Sequence, residues 1–222
     1  MSGDGADREK GGISTAQAEI PETPFELSGG RLCLDFANTV YRRPTDSQKE
    51  CLHSYSDLVR WGRQAGIVTD LEAQRLVREA LHRPAQAAAV LAQAVTLREV
   101  IYRMFSAAVH QYPPQADDLA TLNAALAQAL PFLQIVPAAE GFTWEWLCSD
   151  EALDRMLGPV VRSAAELLTS SELEVVRECM APDCGWLFMD RSHKRNRRWC
   201  DMKVCGNRAK ARRHYERKKT GR

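Results

Sequence analysis

Four cysteines crowded into 27 residues near one end of a 222-residue chain constrain the fold more than any other feature. They stand as Cys179-x4-Cys184, a fifteen-residue gap, and Cys200-x4-Cys205. Two short Cys-to-Cys turns, brought together by a hairpin, place four thiolates at tetrahedral corners, which is the geometry Zn²⁺ takes at about 2.3 Å from each sulfur. The spacing within each pair is wider than the commoner two-residue gap, so the same pairs also suit an iron–sulfur cluster or a redox-active dithiol. His193 and His214 are spare ligands, and four thiolates already close a structural site without them. Cys33, Cys51 and Cys148 are scattered in apolar or helical surroundings and read as buried structural thiols.

Between the two pairs, Gly185-Trp186-Leu187-Phe188-Met189 is a β-like run that fits the first strand of a finger hairpin. A module of under about 50 residues cannot bury enough surface to fold alone, so metal binding and folding of the tail are expected to be coupled. After Cys205 the run GNRAKARRHYERKK holds good helix formers and no proline, which predicts a helix starting near Gly206 or Asn207.

The formal net charge of +1 conceals a division. Residues 177–222 hold 15 of the 30 basic residues and five of the 29 acidic ones, a net +10 against −9 for the rest. Arg208, Lys210, Arg212, Arg213 and Arg217 on the predicted helix, with Lys194, Arg195, Arg197 and Arg198 in the loop before it, form a cationic surface suited to DNA. RNA, an acidic protein or an anionic membrane would satisfy the same field, and a plain solvated face is the alternative to all of them.

Ahead of the finger, residues 1–24 lack periodicity and read as a disordered arm, 25–172 as a helical domain and 173–222 as the finger. FELSGGRLCLDFANTV reads as two extended runs around Ser28-Gly29-Gly30, a hairpin leading into a helix start. Helical spacing then runs from Ser54 to a cap at Gly66, from a capping box at Thr69 and Glu72 to before Pro84, from Ala85 to His110, from Leu119 to near Pro131, and from Leu153 to Leu167. A second hairpin is expected around Ala139 to Gly141. The fold class is therefore mainly α with small β-hairpins, a helical N-terminal domain joined to a treble-clef-like or ribbon-like zinc finger.

No run approaches the roughly 18 apolar residues of a membrane span, and the acidic N-terminus carries no export signal, so a cytoplasmic protein is expected. The usual catalytic signatures, from P-loop to HExxH, are absent, which argues against an enzyme. Asp35, Asn38 and Thr39, with Trp61, are candidates to line a small-molecule pocket, and the same polar residues suit helix capping equally well. A homodimer is plausible on energetic grounds, because one small finger offers few contacts.

CGWLFMDRS at 184–192, RRWC at 197–200 and CGNRAKARRHY at 205–215 resemble the CGNR zinc finger of bacterial proteins. GGRLCLDFANT at 29–39, the Trp61 helix and RSAAELLTS at 162–170 resemble the ABATE domain that accompanies it. The resemblance implies a stress-linked transcription regulator whose finger binds DNA through basic residues. In that setting Asn207 and Arg208 are candidate base readers; Asn207 equally suits capping the helix or bonding a thiolate, and Arg208, the better contact, suits a base or a phosphate.

Overall fold

The computed structural model describes residues 24–149 and 151–219; the proposed arm at 1–24 lies almost wholly outside the described residues. Helices α1 (Leu32–Ala37), α2 (Tyr55–Gln64), α3 (Asp70–His82), α4 (Pro84–Val109), α5 (Ala116–Ala129) and α6 (Leu157–Leu168) make the larger body, and α7 (Asn207–Lys219) closes the chain. Three antiparallel two-stranded ribbons join them: β1 (Val40–Tyr41) with β2 (Lys49–Glu50), β3 (Leu133–Ala138) with β4 (Gly141–Trp146), and β5 (Val176–Glu178) with β6 (Leu187–Met189).

Local chemistry places most boundaries where the sequence predicts them. Ser54 caps α2 in a reciprocal box with Asp57, and Thr69 caps α3 in the same way with Glu72, so each pair satisfies amides that the first helical turn leaves orphaned. Gly66 takes φ +73° just past α2, a conformation that side chains resist. Pro84 opens α4 at a position where its missing N–H costs nothing. At 26 residues and 1.5 Å per residue, α4 is a spine about 39 Å long, and α1, α2, α3, α5 and α6 all pack on it. Trp61, Phe36, Phe105, Leu34, Leu58, Leu76 and Ile101 form the fully buried centre.

The expected hairpin around Ser28-Gly29-Gly30 is not there: Leu32–Ala37 is a helix, and the nearest ribbon is β1–β2 further along. Cys33, Leu34, Phe36 and Ala37 are all buried, so the apolar run is a short helix enclosed on several sides, which periodicity cannot tell from a buried strand. Instead of turning a hairpin, Gly29 donates its N–H to Asp35 Oδ1 at 2.7 Å and accepts at its carbonyl from Met189 N–H at 2.8 Å. Helix α6 also begins later than its spacing predicts; Leu153 and Met156 are buried in the turns that precede it.

Of that run Leu187–Met189 is a strand, but it is the second strand of its hairpin and not the first: it pairs with β5, which precedes the first cysteine. Its alternation serves two interiors. Leu187 and Met189 join the helical core together with Val176, while Trp186 and Phe188 face the cysteine cluster. Asn38 locks this placement, donating from Nδ2 to the Leu187 carbonyl at 2.8 Å and accepting the Leu187 N–H at 2.9 Å. Trp186 Nε1–H donates to the Val40 carbonyl at 2.8 Å, and its ring lies 4.8 Å from that of Tyr41.

Removing the Asn38 amide would leave both backbone groups of Leu187 buried without a partner, at roughly 1–3 kcal/mol each. Asn38→Ala is therefore expected to lower unfolding free energy by about 2–4 kcal/mol in urea titrations followed by circular dichroism. A loss under about 0.5 kcal/mol, the range of an ordinary surface substitution, would contradict this role for Asn38.

Candidate metal centre and basic surface

The β5–β6 ribbon turns through a knuckle that carries the first two cysteines. Cys179 N–H donates to the Trp186 carbonyl at 2.8 Å and Cys184 N–H to the Ala181 carbonyl at 3.0 Å, and Gly185 leaves the turn at φ +72°. A side chain at Gly185 would also crowd Pro44 at 3.1 Å, so this glycine serves both the knuckle and its docking. The second pair lies where α7 begins. Asp201 caps a π-type turn, Met202–Gly206, by accepting from Val204 N–H, and Cys205 sits at the end of that turn. One ligand pair on a knuckle and one at a helix start is the treble-clef-like alternative of the two expected.

All four cysteines are buried, and their sulfurs lie within 4.8 Å of one another. Cys184 to Cys200 and Cys200 to Cys205 are each 3.6 Å apart, close to the roughly 3.8 Å edge of a tetrahedron with 2.3 Å arms. The donor set therefore fits a single metal ion, and neither His193 nor His214 belongs to it. Thiol hydrogen bonds from Cys184 and then Cys200 hold Cys179 well below its ordinary pKa, while Cys200 is pushed the other way by the same neighbours. Four thiolates this close cannot ionise together without a cation between them.

The surroundings of the sulfurs supply positive charge. Arg208 donates from Nη2 to Cys205 Sγ at 3.2 Å, and its Nη1 lies 3.2 Å from Asp183 Oδ2 in the knuckle. Arg212 reaches the other oxygen of Asp183 at 3.5 Å. Arg197 donates to the carbonyls of Trp199 and Cys200 and stacks 4.7 Å over Phe188. A metal with four thiolates carries a net negative charge, so guanidinium groups and the positive N-terminus of α7 stabilise it together. Of the string Cys205-Gly206-Asn207-Arg208, the first is a ligand, a Cβ on the second would overlap the Met202 side chain, and the fourth supports the ligand.

The predicted basic residues thus divide. Arg197, Arg208 and Arg212 are engaged in holding the finger, so Arg208 is a supporting group while its side chain stays partly exposed. Asn207 is exposed at the helix start. Lys194, Arg195, Lys210 and Arg213 are exposed and make no ion pair among the described residues; Arg198, also exposed, lies 5.5 Å over Trp199, and Arg217 is exposed near the end of α7. The loop is shaped by Asp190, a fully buried carboxylate that accepts from Ser192 Oγ at 2.6 Å, Ser192 N–H at 3.0 Å and Arg197 N–H at 2.8 Å. Burial alone would raise its pKa, but these hydrogen bonds outweigh it and hold the group ionised. Asp190 and Asp183 belong to none of the spacings that mark the finger in the sequence, although Asp190-Arg191-Ser192 is a recognisable turn-forming triplet.

Asp35, Asn38, Thr39 and Trp61 do not converge on an opening among the described residues. Asn38 is committed to Leu187, Thr39 Oγ1 donates to the Phe36 carbonyl and receives Arg98, and Trp61 is fully buried beside Phe36. Asp35 is bonded to Gly29, as a capping carboxylate would be. Burial pushes its pKa up to about 6 despite that bond.

A four-thiolate knuckle fused to a basic helix, docked on a separate helical body, defines a protein that carries a metal-fixed finger as an appendage. The two parts match known families in that order. Residues 30–171 match ABATE, described as "putative stress-induced transcription regulator", and residues 176–218 match the CGNR zinc finger. The chain belongs to the ABATE family and carries a CGNR zinc finger. Both are regulatory or zinc-finger families rather than enzyme families. No curated protein matches the chain. No helix among the described residues is long and apolar enough to cross a membrane.

Two outcomes follow from this geometry. Arg208→Ala is expected to weaken metal retention about 10- to 100-fold against a competing chelator, with Arg208→Lys intermediate, whereas an unchanged affinity would remove its supporting role. For Asp35, the folded form holds its proton up to about pH 6 while the unfolded form releases it near 3.8. The stability it contributes is thus complete below the unfolded value and is lost as pH rises through 6. Subtracting the Asp35→Asn stability profile from that of the parent should isolate this fall; a flat difference between pH 4 and 7 would contradict it.

Proposed function

We propose that this protein is a DNA-binding transcription regulator of the bacterial cytoplasm, with Zn²⁺ in the cysteine cluster and the exposed basic face of α7 and the 191–198 loop as its grip on the duplex. The observation that carries this reading is the state of α7. No residue of this helix is buried, and seven of its thirteen residues are Arg or Lys. Arg208 with Arg212, and Arg213 with Arg217, set like charges one turn apart, which weakens an isolated helix. A helix of this length is marginal in water without a packed face, so the metal centre at one end and a polyanion along its side are the natural sources of its stability.

Zinc fits better than iron–sulfur chemistry because four sulfurs within 4.8 Å of one another suit a single ion better than several irons with sulfides between them. In this reading Asn207, Lys210 and Arg213 of α7 contact DNA together with Lys194, Arg195 and Arg198 from the loop, a role supported by the exposure of all six. A homodimer accords with the small size of one finger, which limits affinity from a single module.

Metal analysis of protein purified without chelator should give one zinc per chain, and no zinc would refute that assignment. Duplex binding should fall steeply with salt, with a log–log slope of about −4.5 if five phosphates are contacted. Lys210→Ala and Arg213→Ala should each reduce that slope by about 0.9 without loss of metal. Absence of binding to duplex at low salt would sink the DNA reading, and tighter binding to RNA would transfer the same surface to an RNA partner.

A further inference from the structure

We propose that the cleft between α4, α5, α6 and the base of the β3–β4 ribbon is a binding site for a neutral, largely apolar organic molecule. The cleft has a volume of about 560 Å³, within the range of about 300–1,000 Å³ that small-molecule sites occupy. Leu97 of α4, Leu157 and Val161 of α6, and Phe132 and Trp146 at the base of the ribbon form its walls. It stays open because three of the α5 residues that line it, Ala124, Ala125 and Ala129, are alanines where a larger side chain would fill the space. Trp146 is held as a wall rather than a plug. Its ring edge lies so close to Gly158 that any Cβ there would approach it to 2.8 Å.

The neutrality of the ligand follows from how the polar groups are spent. Thr96 donates its hydroxyl to the Ala92 carbonyl and Thr121 to that of Asp117, each back onto its own helix. The one cation at the cleft, Arg155, is bonded to Glu72 at 2.8 Å and stands next to Asp154, so no net positive charge awaits an anion. Ser149 Oγ accepts from Glu151 N–H and Asp154 stands beside Arg155, and the amides of Gln93 and Gln128 at the exposed rim offer both donors and acceptors. A molecule with an apolar body and one uncharged polar end matches this lining. The site differs from the Asp35 and Trp61 cluster singled out in the sequence, none of whose members lines it.

The site stands apart from the nucleic-acid reading, and its test involves no nucleic acid. N-phenyl-1-naphthylamine, a neutral apolar fluorophore, should bind the full chain saturably at one molecule per chain, seen as fluorescence enhancement with energy transfer from tryptophan. Its anionic relative 1-anilinonaphthalene-8-sulfonate should bind at least about tenfold more weakly, because no cation is available to it. Ala125→Phe fills the cleft and should lower affinity for the neutral probe by at least about tenfold, and Gln128→Trp at the exposed rim should do so without touching the interior. Trp144→Ala alters the exposed apolar surface of β4 and should leave binding unchanged. Non-saturable binding, indifference to both cleft variants, loss on Trp144→Ala, or release of the probe as the protein self-associates would each overturn the proposal. The last result would assign the cleft to a second copy of the chain.

Discussion

Strand β6 is buried on both faces, and each face belongs to a different interior. Leu187 and Met189 complete the helical core while Trp186 and Phe188 roof the cysteine cluster, so three consecutive strand residues and the tryptophan before them belong to both structures at once. Because strand side chains alternate with period two, the register of β6 must be held to a single residue; a slip by one would send Phe188 to the helical core and Leu187 to the metal. The two hydrogen bonds from Asn38 and the bond from Met189 N–H to the Gly29 carbonyl hold that register, and both come from the segment around α1. The buried helix α1 thus anchors the finger as well as the core.

Helix α4 supplies the second link. Tyr102 donates to Glu178 Oε1, and Ser106 to Oε2 at 2.9 Å; Glu178 is the residue immediately before the first metal ligand. One turn earlier, Arg98 is almost fully buried and holds Glu50 through two bonds of 2.6 and 2.7 Å, tying β2 to the spine. Earlier still, Leu97 and Gln93 face the cleft. A single rigid helix therefore touches the apolar cleft, the docking ribbon and the approach to the metal centre. The arrangement suits a regulator, in which a helical body and a metal-fixed grip must act as one molecule.

Much of this was legible beforehand, for identifiable reasons. Capping boxes at Ser54 and Thr69, the glycine after α2 and the prolines bounding α3 and α4 are local devices, and local devices operate on neighbours in sequence. The four metal ligands were legible because coordination chemistry constrains spacing tightly. Helix α1 was misread because an apolar run of six residues looks the same whether it will be a buried strand or a helix enclosed by others. The cleft left no trace in the sequence at all. It arises from alanines on α5 and a glycine on α6 that meet only after folding, and small residues carry no signal by themselves.

The basic residues mark the boundary between the two kinds of information most clearly. Composition alone establishes that the tail is cationic, and spacing predicts a metal site at Cys179, Cys184, Cys200 and Cys205 with a helix after it, because net charge and ligand chemistry depend on residue type. Which arginine does what depends on the direction each side chain takes in three dimensions. Arg208 is bonded to Cys205 and Asp183, and Arg197 to the carbonyl of Cys200, while Lys210 and Arg213 make no ion pair among the described residues. The division follows from the tetrahedral demand of four thiolates, which fixes the start of α7 against the knuckle and so decides which of its faces is left for a partner.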